Sequence, residues 1–422
     1  MNHYEKNLDK NDANFVPLTP LSFLERAKDI YPNYEALVYE SRSYTWSEVY
    51  KRCTKFASAL EKIGISEGDT VSVMAFNTPE IFEAHYSVPM TGAVLNTINS
   101  RLDSKTVAYI LEHCEAKVLI VDRQLHSVIE KALGQIKSKP IIIDIQDNFA
   151  DQSLLKKIGD KEYEDFLNSG DDNYIWKRPK DEWQAISLSY TSGTTGNPKG
   201  VELTHGNWEF SVDSLGNILR FTQGDKYVSW LPLAHVFGQL VDNHTWIKDA
   251  LHLHVVDSPL SIVDYAKEVN PHLFIGVPRI YEKMYSNLKS AIDNKAILKI
   301  GLKIPLLSSV FKKKLKEAVG FTNLTYAGTG AAPINPEILT FFKSLDINVF
   351  EGYGMTENTA VATTNSDGNN KIGTVGTTIP GTEAKIGENG EILLKGKHVM
   401  KGYYKNSEAT NQTLKSGWLH TG

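Results

Sequence analysis

The alternation of apolar and polar positions sorts the first part of the chain into helices and strands. Thr45-Trp46-Ser47-Glu48 has the spacing of a reciprocal helix cap, and Tyr50, Phe56, Ala57, Leu60 and Ile63 then recur at helical intervals. This spacing predicts a helix over about 47–63. After the turn Glu67-Gly68-Asp69, the run TVSVMAF is β-branched and alternating, which predicts a strand over 70–76. Thr78-Pro79-Glu80 opens another helix and Ser104 the next, while VLIV at 118–121 and PIIIDI at 140–145 are apolar runs of strand length. Continuously apolar strands alternating with amphipathic helices predict a mostly parallel sheet covered on both faces.

Over 146–182 the apolar runs shrink and charge rises, as in a surface excursion. A second α/β block begins at Ala185, with strands in AISLSY, YVSWLP, LHLHVVD, HLFIGVP and NLTYAG and a helix opened by Asn335-Pro336-Glu337. From about Ile372 the texture changes to short β segments such as EILLKG, broken by Gly373, Gly376, Gly381, Gly387, Gly390 and Gly396. The expected organisation is an α/β subdomain over 1–184, a second over 185–350, and a segment over 351–422 that holds a turn and a small β-barrel.

Composition narrows the classes. With 41% hydrophobic and 23% charged residues, the 422-residue chain can bury a large core. Its net charge of −5 gives no reason to expect a nucleic-acid partner. Two cysteines, Cys53 and Cys114, are too few for a disulfide framework and fit buried thiols in a reducing cytoplasm. The polar N-terminus lacks the apolar segment of a signal peptide, and no later run is long and apolar enough to span a bilayer.

The chemistry concentrates in YTSGTTGNPKG at 190–200, directly after the strand AISLSY. Three glycines, four hydroxyl residues (Thr191, Ser192, Thr194 and Thr195) and Lys199 supply bare amides, hydroxyl donors and one cation, the inventory that holds a polyphosphate. Pro198 has no amide to donate, so the expectation is a mobile hydroxyl-rich loop, distinct from a helix N-terminus. In EGYGMTENT at 351–359, Gly352 and Gly354 permit a tight turn that presents Tyr353, Thr356 and Glu357 at the carboxyl edge of a sheet. TYAGTGAAP at 325–333 offers a second glycine-bearing strand end, at Gly328 and Gly330.

TSGTTGNPKG closely resembles the phosphate loop of adenylate-forming enzymes, the superfamily of acyl-CoA synthetases, peptide-synthetase adenylation domains and luciferases. LPLAHVFG at 231–238, EGYGMTENT and the closing GWLHTG at 417–422 follow in that family's order, so the resemblance covers essentially the whole chain. It implies two stacked α/β subdomains with mainly parallel sheets, layered αβαβα, plus a small C-terminal β-barrel. It also implies an ATP-dependent acid–CoA ligase acting through an acyl-adenylate, with Mg2+ as cofactor and coenzyme A as co-substrate. Carried over residue by residue, Thr191, Ser192, Gly193, Thr194, Thr195, Gly196 and Lys199 hold phosphates. Gly328, Thr329, Gly330, Glu351, Gly352, Tyr353 and Gly354 form the adenine side. Thr356 bonds the α-phosphate, Glu357 holds Mg2+ together with Thr191, and Thr191, Lys199, Thr356 and Glu357 act in the reaction. His235, Val277, Gly328, Ala331 and Tyr353 line the acyl pocket, His235 as a binding group more than an acid or base. His244, His252 and His254 lack defensible metal spacing, and no zinc is expected.

The family pattern places an Asp after HTG, where this chain stops at Gly422, and its C-terminal lid domain is missing here as well. The expectation is weak nucleotide binding and poor turnover by the isolated chain. Sequence after Tyr190 is most like medium- to long-chain fatty acyl-CoA synthetases; sequence before it is more like short-chain and methylmercaptopropionate-CoA ligases. A medium- to long-chain acid is favoured, against a short-chain acid, an amino-acid adenylation domain or a non-catalytic nucleotide sensor. The basic run Lys312, Lys313, Lys314 and Lys316 reads as a solvated helix face, with peripheral membrane contact over 295–316 as the alternative. The expected protein is cytoplasmic, a monomer or a homodimer.

Overall fold

A computed structural model describes residues 3–6, 8–11, 13–191, 196–219, 221–256 and 261–422. The helix Trp46–Lys62 starts at the reciprocal cap, where the Thr45 hydroxyl accepts from the Glu48 amide and the Glu48 carboxylate accepts from the Thr45 amide. The helices expected to open at Ser104 and at Thr78-Pro79-Glu80 do so. Asp103 caps the helix Ser104–His113, accepting from the Lys105 and Thr106 amides. At the helix Pro79–Ser87 the Thr78 hydroxyl is buried without a partner, and the start is set by Pro79 with its fixed φ. The strand Thr70–Met74 ends before Phe76, because its ladders to both neighbours run out at Val73 and Met74.

One sheet of eight strands runs in the order Gly402–Tyr403, Lys199–Thr204, Ala185–Thr191, Val94–Thr97, Thr70–Met74, Val118–Asp122, Ile141–Ile145 and Lys161–Glu162. A second of nine runs Thr377–Thr378, Thr363–Thr364, Val349–Tyr353, Tyr326–Thr329, Leu273–Gly276, Lys226–Ser229, His252–Val255, Glu35–Tyr39 and Arg42–Thr45. Most ladders are parallel, and Thr70–Met74 and Val118–Asp122 are buried at every position, as strands covered on both faces must be. A four-stranded antiparallel sheet, in the order Glu383–Ile386, Ile392–Lys395, Trp418–His420 and Leu414–Lys415, forms the C-terminal β unit.

Sheet membership cuts across the division at residue 185. Ala185–Thr191 and Lys199–Thr204 extend the sheet built by the first part of the chain, whereas Glu35–Tyr39 joins the nine-stranded sheet through a parallel ladder to His252–Val255. Strand pairing, not chain order, decides where each segment lies. The helices Ser104–His113 and His126–Leu133 bury Val107, Leu111 and Ile129 against Leu119 and Val121 on one outer face. Between the sheets lie Trp46–Lys62, Pro79–Ser87 and His205–Leu219, joined to both in one continuous core. There Trp246 packs 5.0 Å from Trp46 and donates its indole N–H to the Ala36 carbonyl.

The basic run lies on the helix Pro305–Val319. Lys312 pairs with the Asp346 carboxylate and Lys316 donates to the Asp346 carbonyl, leaving Lys313 and Lys314 exposed. Among the described residues no helix is long and apolar enough to cross a membrane.

Burial also leaves a pH signature. His85 and His398 are held down to about 4 and His205 to about 3, in each case because burial disfavours the charged ring. Each depressed imidazole contributes stability that is complete above its unfolded pKa near 6.5 and is lost as pH falls toward the folded value. Between pH 7.5 and 5, one such group is worth about 2 kcal/mol. Urea unfolding of a His85→Met variant should therefore lose less stability over that interval than the parent, by about 2 kcal/mol; equal losses would show that His85 is not neutral in the fold.

Candidate active site

The strands Ala185–Thr191 and Lys199–Thr204 form an antiparallel hairpin with Thr191 opposite Lys199, so residues 192–198 are the connection between two paired strands. Ser192, Gly193, Thr194 and Thr195 lie outside the described residues. The Thr191 hydroxyl donates to the Lys199 carbonyl at 3.4 Å, and at the root of the hairpin the Tyr190 hydroxyl lies 2.7 Å from His113 Nδ1. Gly196 is exposed with open space around it.

A cavity of about 1280 Å³ opens along the carboxyl ends of the nine-stranded sheet. It brings together His235, Val277, Gly328, Thr329, Gly330, Ala331, Gly352, Tyr353, Gly354 and Thr356, all expected site residues. Thr191, Gly196, Lys199, Glu351 and Glu357 do not line it. Apolar walls come from Leu215, Leu219, Trp230, Val241, Ile275 and Ile280, all buried, while the charged lining residues Arg101, Arg279, Glu282 and Lys283 are exposed.

The turn after the strand Val349–Tyr353 depends on Gly354. A Cβ there would sit 1.8 Å from the Ala360 carbonyl oxygen, so no other residue fits this close approach. Ala331, Thr359 and Ala360 take left-handed backbone conformations beside it, with φ of 67°, 53° and 82°. Strain of this kind gathers where the surroundings impose a geometry on a site. Glu351 is buried with its carboxylate near the Ile334 amide, and burial pushes its pKa up.

The cavity suits a nucleotide. The Thr329 hydroxyl is buried, partnerless and on the lining, an unused donor and acceptor between Gly328 and Gly330. Glu357 and Thr356 offer a carboxylate and a hydroxyl, hard oxygen donors of the kind Mg2+ takes. Glu357 is 7% exposed, and its Oε1 accepts from the Tyr403 hydroxyl at 2.8 Å. The Lys199 ammonium stands 4.4 Å from the centre of the same Tyr403 ring.

Asp242 holds the wall that carries His235. It sits on the π-helical turn Gln239–His244 with no exposure and accepts from the hydroxyls of Tyr227 and Ser229 and the amides of Trp230 and Leu231. Burial raises its pKa to about 7 in spite of these donors. The wall is tied to the other sheet by Asn77 donating to the Leu231 carbonyl, Gln239 donating to Thr97, and Asn99 lying 3.1 Å from His235 Nε2. The His235 ring keeps solvent access, yet the water displaced around it and nearby Arg101 lower its pKa.

Sequence reasoning missed Asp242, Tyr403, Asn77 and Asn99. Asp242 stands in an apolar run, VFGQLVDNHTW, where a lone acid is the only local signal. Tyr403 carries no signal beyond its place in a Gly-rich β segment.

A family profile described as AMP-binding enzyme matches residues 24–404. The chain is 32% identical over 453 residues to an acetate–CoA ligase of Humulus lupulus, covering 99% of this chain and 75% of that protein. It is 33% identical to a peroxisomal acetate/butyrate–CoA ligase of Arabidopsis thaliana, with the same coverage. Among solved structures, an anthranilate CoA ligase in complex with anthranoyl-AMP superposes with a TM-score of 0.82 over 98% of this chain and 76% of that one, at 21% identity, a likeness of fold.

Replacing Asp242 by Asn puts amide protons against buried donors and should destabilise the protein by about 2–4 kcal/mol, read from urea unfolding. A loss under 1 kcal/mol would show that the four donors do not depend on this carboxylate.

Proposed function

The chain belongs to the AMP-binding enzyme family and is an AMP-forming acid–thiol ligase that uses ATP, Mg2+ and coenzyme A; within that class we propose that its acid is an apolar monocarboxylate, with a medium- to long-chain fatty acid favoured. The observation that carries this reading is the two-ended cavity. One part is walled by Gly328, Gly330, Gly352 and Gly354 with the free Thr329 hydroxyl, and another by buried apolar side chains, with the exposed Arg101, Arg279, Glu282 and Lys283 also on the lining. At about 1280 Å³ it exceeds the roughly 300–1,000 Å³ of pockets that hold one drug-sized ligand, which suits a nucleotide and an acyl chain together.

In this reading a carboxylate oxygen attacks the α-phosphorus of ATP and the bond to pyrophosphate breaks. A thiol then attacks the acyl carbon and AMP leaves. No side-chain nucleophile is needed, so the work of the protein is to bring anions together in line. Tyr353 and the Gly328–Gly330 backbone orient the adenine, the Thr356 hydroxyl bonds the α-phosphate, and Lys199 with the loop hydroxyls from Thr191 onward takes the leaving phosphates. Mg2+, when bound at Glu357 with the help of Thr191, offsets charge on the polyphosphate. His235, held neutral by its lowered pKa, accepts or donates a hydrogen bond at the carboxylate without adding charge.

A second reading has support in the relatives, whose names specify acetate and acetate or butyrate. Pyrophosphate release with ATP and Mg2+ across acids of two to sixteen carbons decides between them. The favoured reading expects release to rise from butyrate to beyond octanoate; a maximum at two to four carbons would replace it with the short-chain ligase, and release only with amino acids would remove both. A Glu357→Gln variant should lower release by a factor of about 10²–10³ while AMP binding changes less than threefold.

On location, the reading is a cytoplasmic protein with this basic segment as a solvated face; the alternative is contact with anionic lipid through the helices Ala296–Gly301 and Pro305–Val319. Ile297, Ile300 and Val310 are 75%, 60% and 51% exposed there, and Lys295, Lys299, Lys303, Lys313 and Lys314 are exposed on the same segment. Flotation with phosphatidylserine vesicles at low salt decides: the solvated face expects no retention, whereas retention that is lost on Ile300→Asp substitution and absent with neutral vesicles would establish the charge-led contact.

A further inference from the structure

We propose that Tyr403 is a positioning residue for the phosphate-transfer chemistry, holding Glu357 and Lys199 close to one another but unpaired. This rests on the reading of Glu357 as the Mg2+ group and Lys199 as a phosphate group.

The strand Gly402–Tyr403 comes from the far end of the chain and pairs antiparallel with Lys199–Thr204, Tyr403 opposite Val201 and Gly402 opposite Glu202. Tyr404 adds a 2.7 Å bond from its amide to the Gly200 carbonyl, immediately after Lys199. On the other side, the Met400 amide donates to the Glu357 carbonyl at 2.8 Å and the Thr359 hydroxyl donates to the His398 carbonyl at 2.7 Å. One short segment is thus laced to both the hairpin and the Glu357 turn. Its Tyr403 side chain, 7% exposed, meets both functional groups: hydroxyl to Glu357 Oε1, ring face to the Lys199 ammonium. The backbone of Tyr403 is itself fixed, its amide donating to Thr410 Oγ1 at 2.9 Å.

The chemistry of this arrangement differs from that of an ion pair. An ammonium and a carboxylate in direct contact would neutralise each other, and an incoming Mg2+·ATP would have to break the pair. Among the described residues Lys199 makes no ion pair, and Tyr403 gives it a weaker partner in the ring quadrupole. The phenol takes one carboxylate oxygen as a neutral donor, fixing the rotamer of Glu357 while leaving its charge for a cation. Hydrogen bonds that orient a ligating carboxylate in this way typically matter tenfold or more to metal affinity.

Two substitutions separate the contacts: Tyr403→Phe keeps the ring and removes the hydroxyl, and Tyr403→Leu removes both. The readout is thermal stabilisation by ATP as a function of Mg2+ concentration, with AMP in the absence of Mg2+ as the control and Glu357→Gln alongside. In Tyr403→Phe the Mg2+ concentration for half-maximal stabilisation by ATP should rise about tenfold, with AMP stabilisation unchanged within twofold. Tyr403→Leu should show the same rise and in addition weaken ATP stabilisation at saturating Mg2+. A purely structural role would lower the melting temperature without moving the Mg2+ requirement, and that result overturns the proposal. If Glu357→Gln shifts the Mg2+ requirement and Tyr403→Phe does not, the positioning role alone fails; if neither does, the assignment of Glu357 fails and the positioning role with it.

Discussion

The strand Lys199–Thr204 is paired on both edges, and the placement of the active site follows from that. On one edge it returns antiparallel along Ala185–Thr191, and on the other it receives Gly402–Tyr403. In a sheet whose other neighbours are mostly parallel, a hairpin is the one connection that can turn a short loop back on itself without a crossover helix. The ladder sets Thr191 opposite Lys199 at the end of the hairpin, so the two ends of that connection are held by paired strands. The second ladder recruits a segment two hundred positions away, so the turn bearing Glu357, the lysine and the C-terminal β unit share one framework.

The cavity depends on a second constraint, the seam between the two sheets. Its wall from Leu231 to His235 is irregular backbone, which needs partners for each buried polar group. Asp242 supplies them from within the nine-stranded sheet's own side, and Asn77, Thr97 and Asn99 supply them from the carboxyl ends of the eight-stranded sheet. The Tyr86 hydroxyl adds a bond across the seam to Asn243. A wall bridged this way moves only if one sheet moves against the other. The cavity is therefore a property of the joint, and its shape is sensitive to polar residues that do not line it.

These two constraints explain what was legible in the sequence. Local signals read true: the cap at Thr45, the apolar runs that became buried parallel strands, and the glycines of 351–354, one of which admits no side chain. The expected site residues from His235 to Thr356, Glu351 apart, share one cavity because their motifs each end a strand of the same sheet. The boundary at 185 follows a change in texture, whereas strand pairing is non-local: nothing in AISLSY says that it will lie against Val94–Thr97, or that Glu35–Tyr39 will cross to the other sheet. Asp242 and Tyr403 were invisible for the same reason, since their partners are eleven to more than two hundred residues away and a single acid or phenol carries no period.

In the proposed reading the site has a phosphate part and an apolar part, and that division has its own logic. Joining a carboxylate to a polyphosphate requires anions to meet, and charge stabilisation is strongest where water is scarce. Scarcity of water in turn raises the cost of each unused charge, so cations and carboxylates near the site need partners that hold them without cancelling them. An aromatic ring under an ammonium and a phenol on a carboxylate meet that requirement, and so does a histidine kept neutral by its surroundings. In that reading the apolar walls would add binding energy remote from the reacting atoms, which would serve to fix the acid's orientation where orientation limits the rate. A polar cavity of equal volume would bind water in place of the chain and give up that leverage.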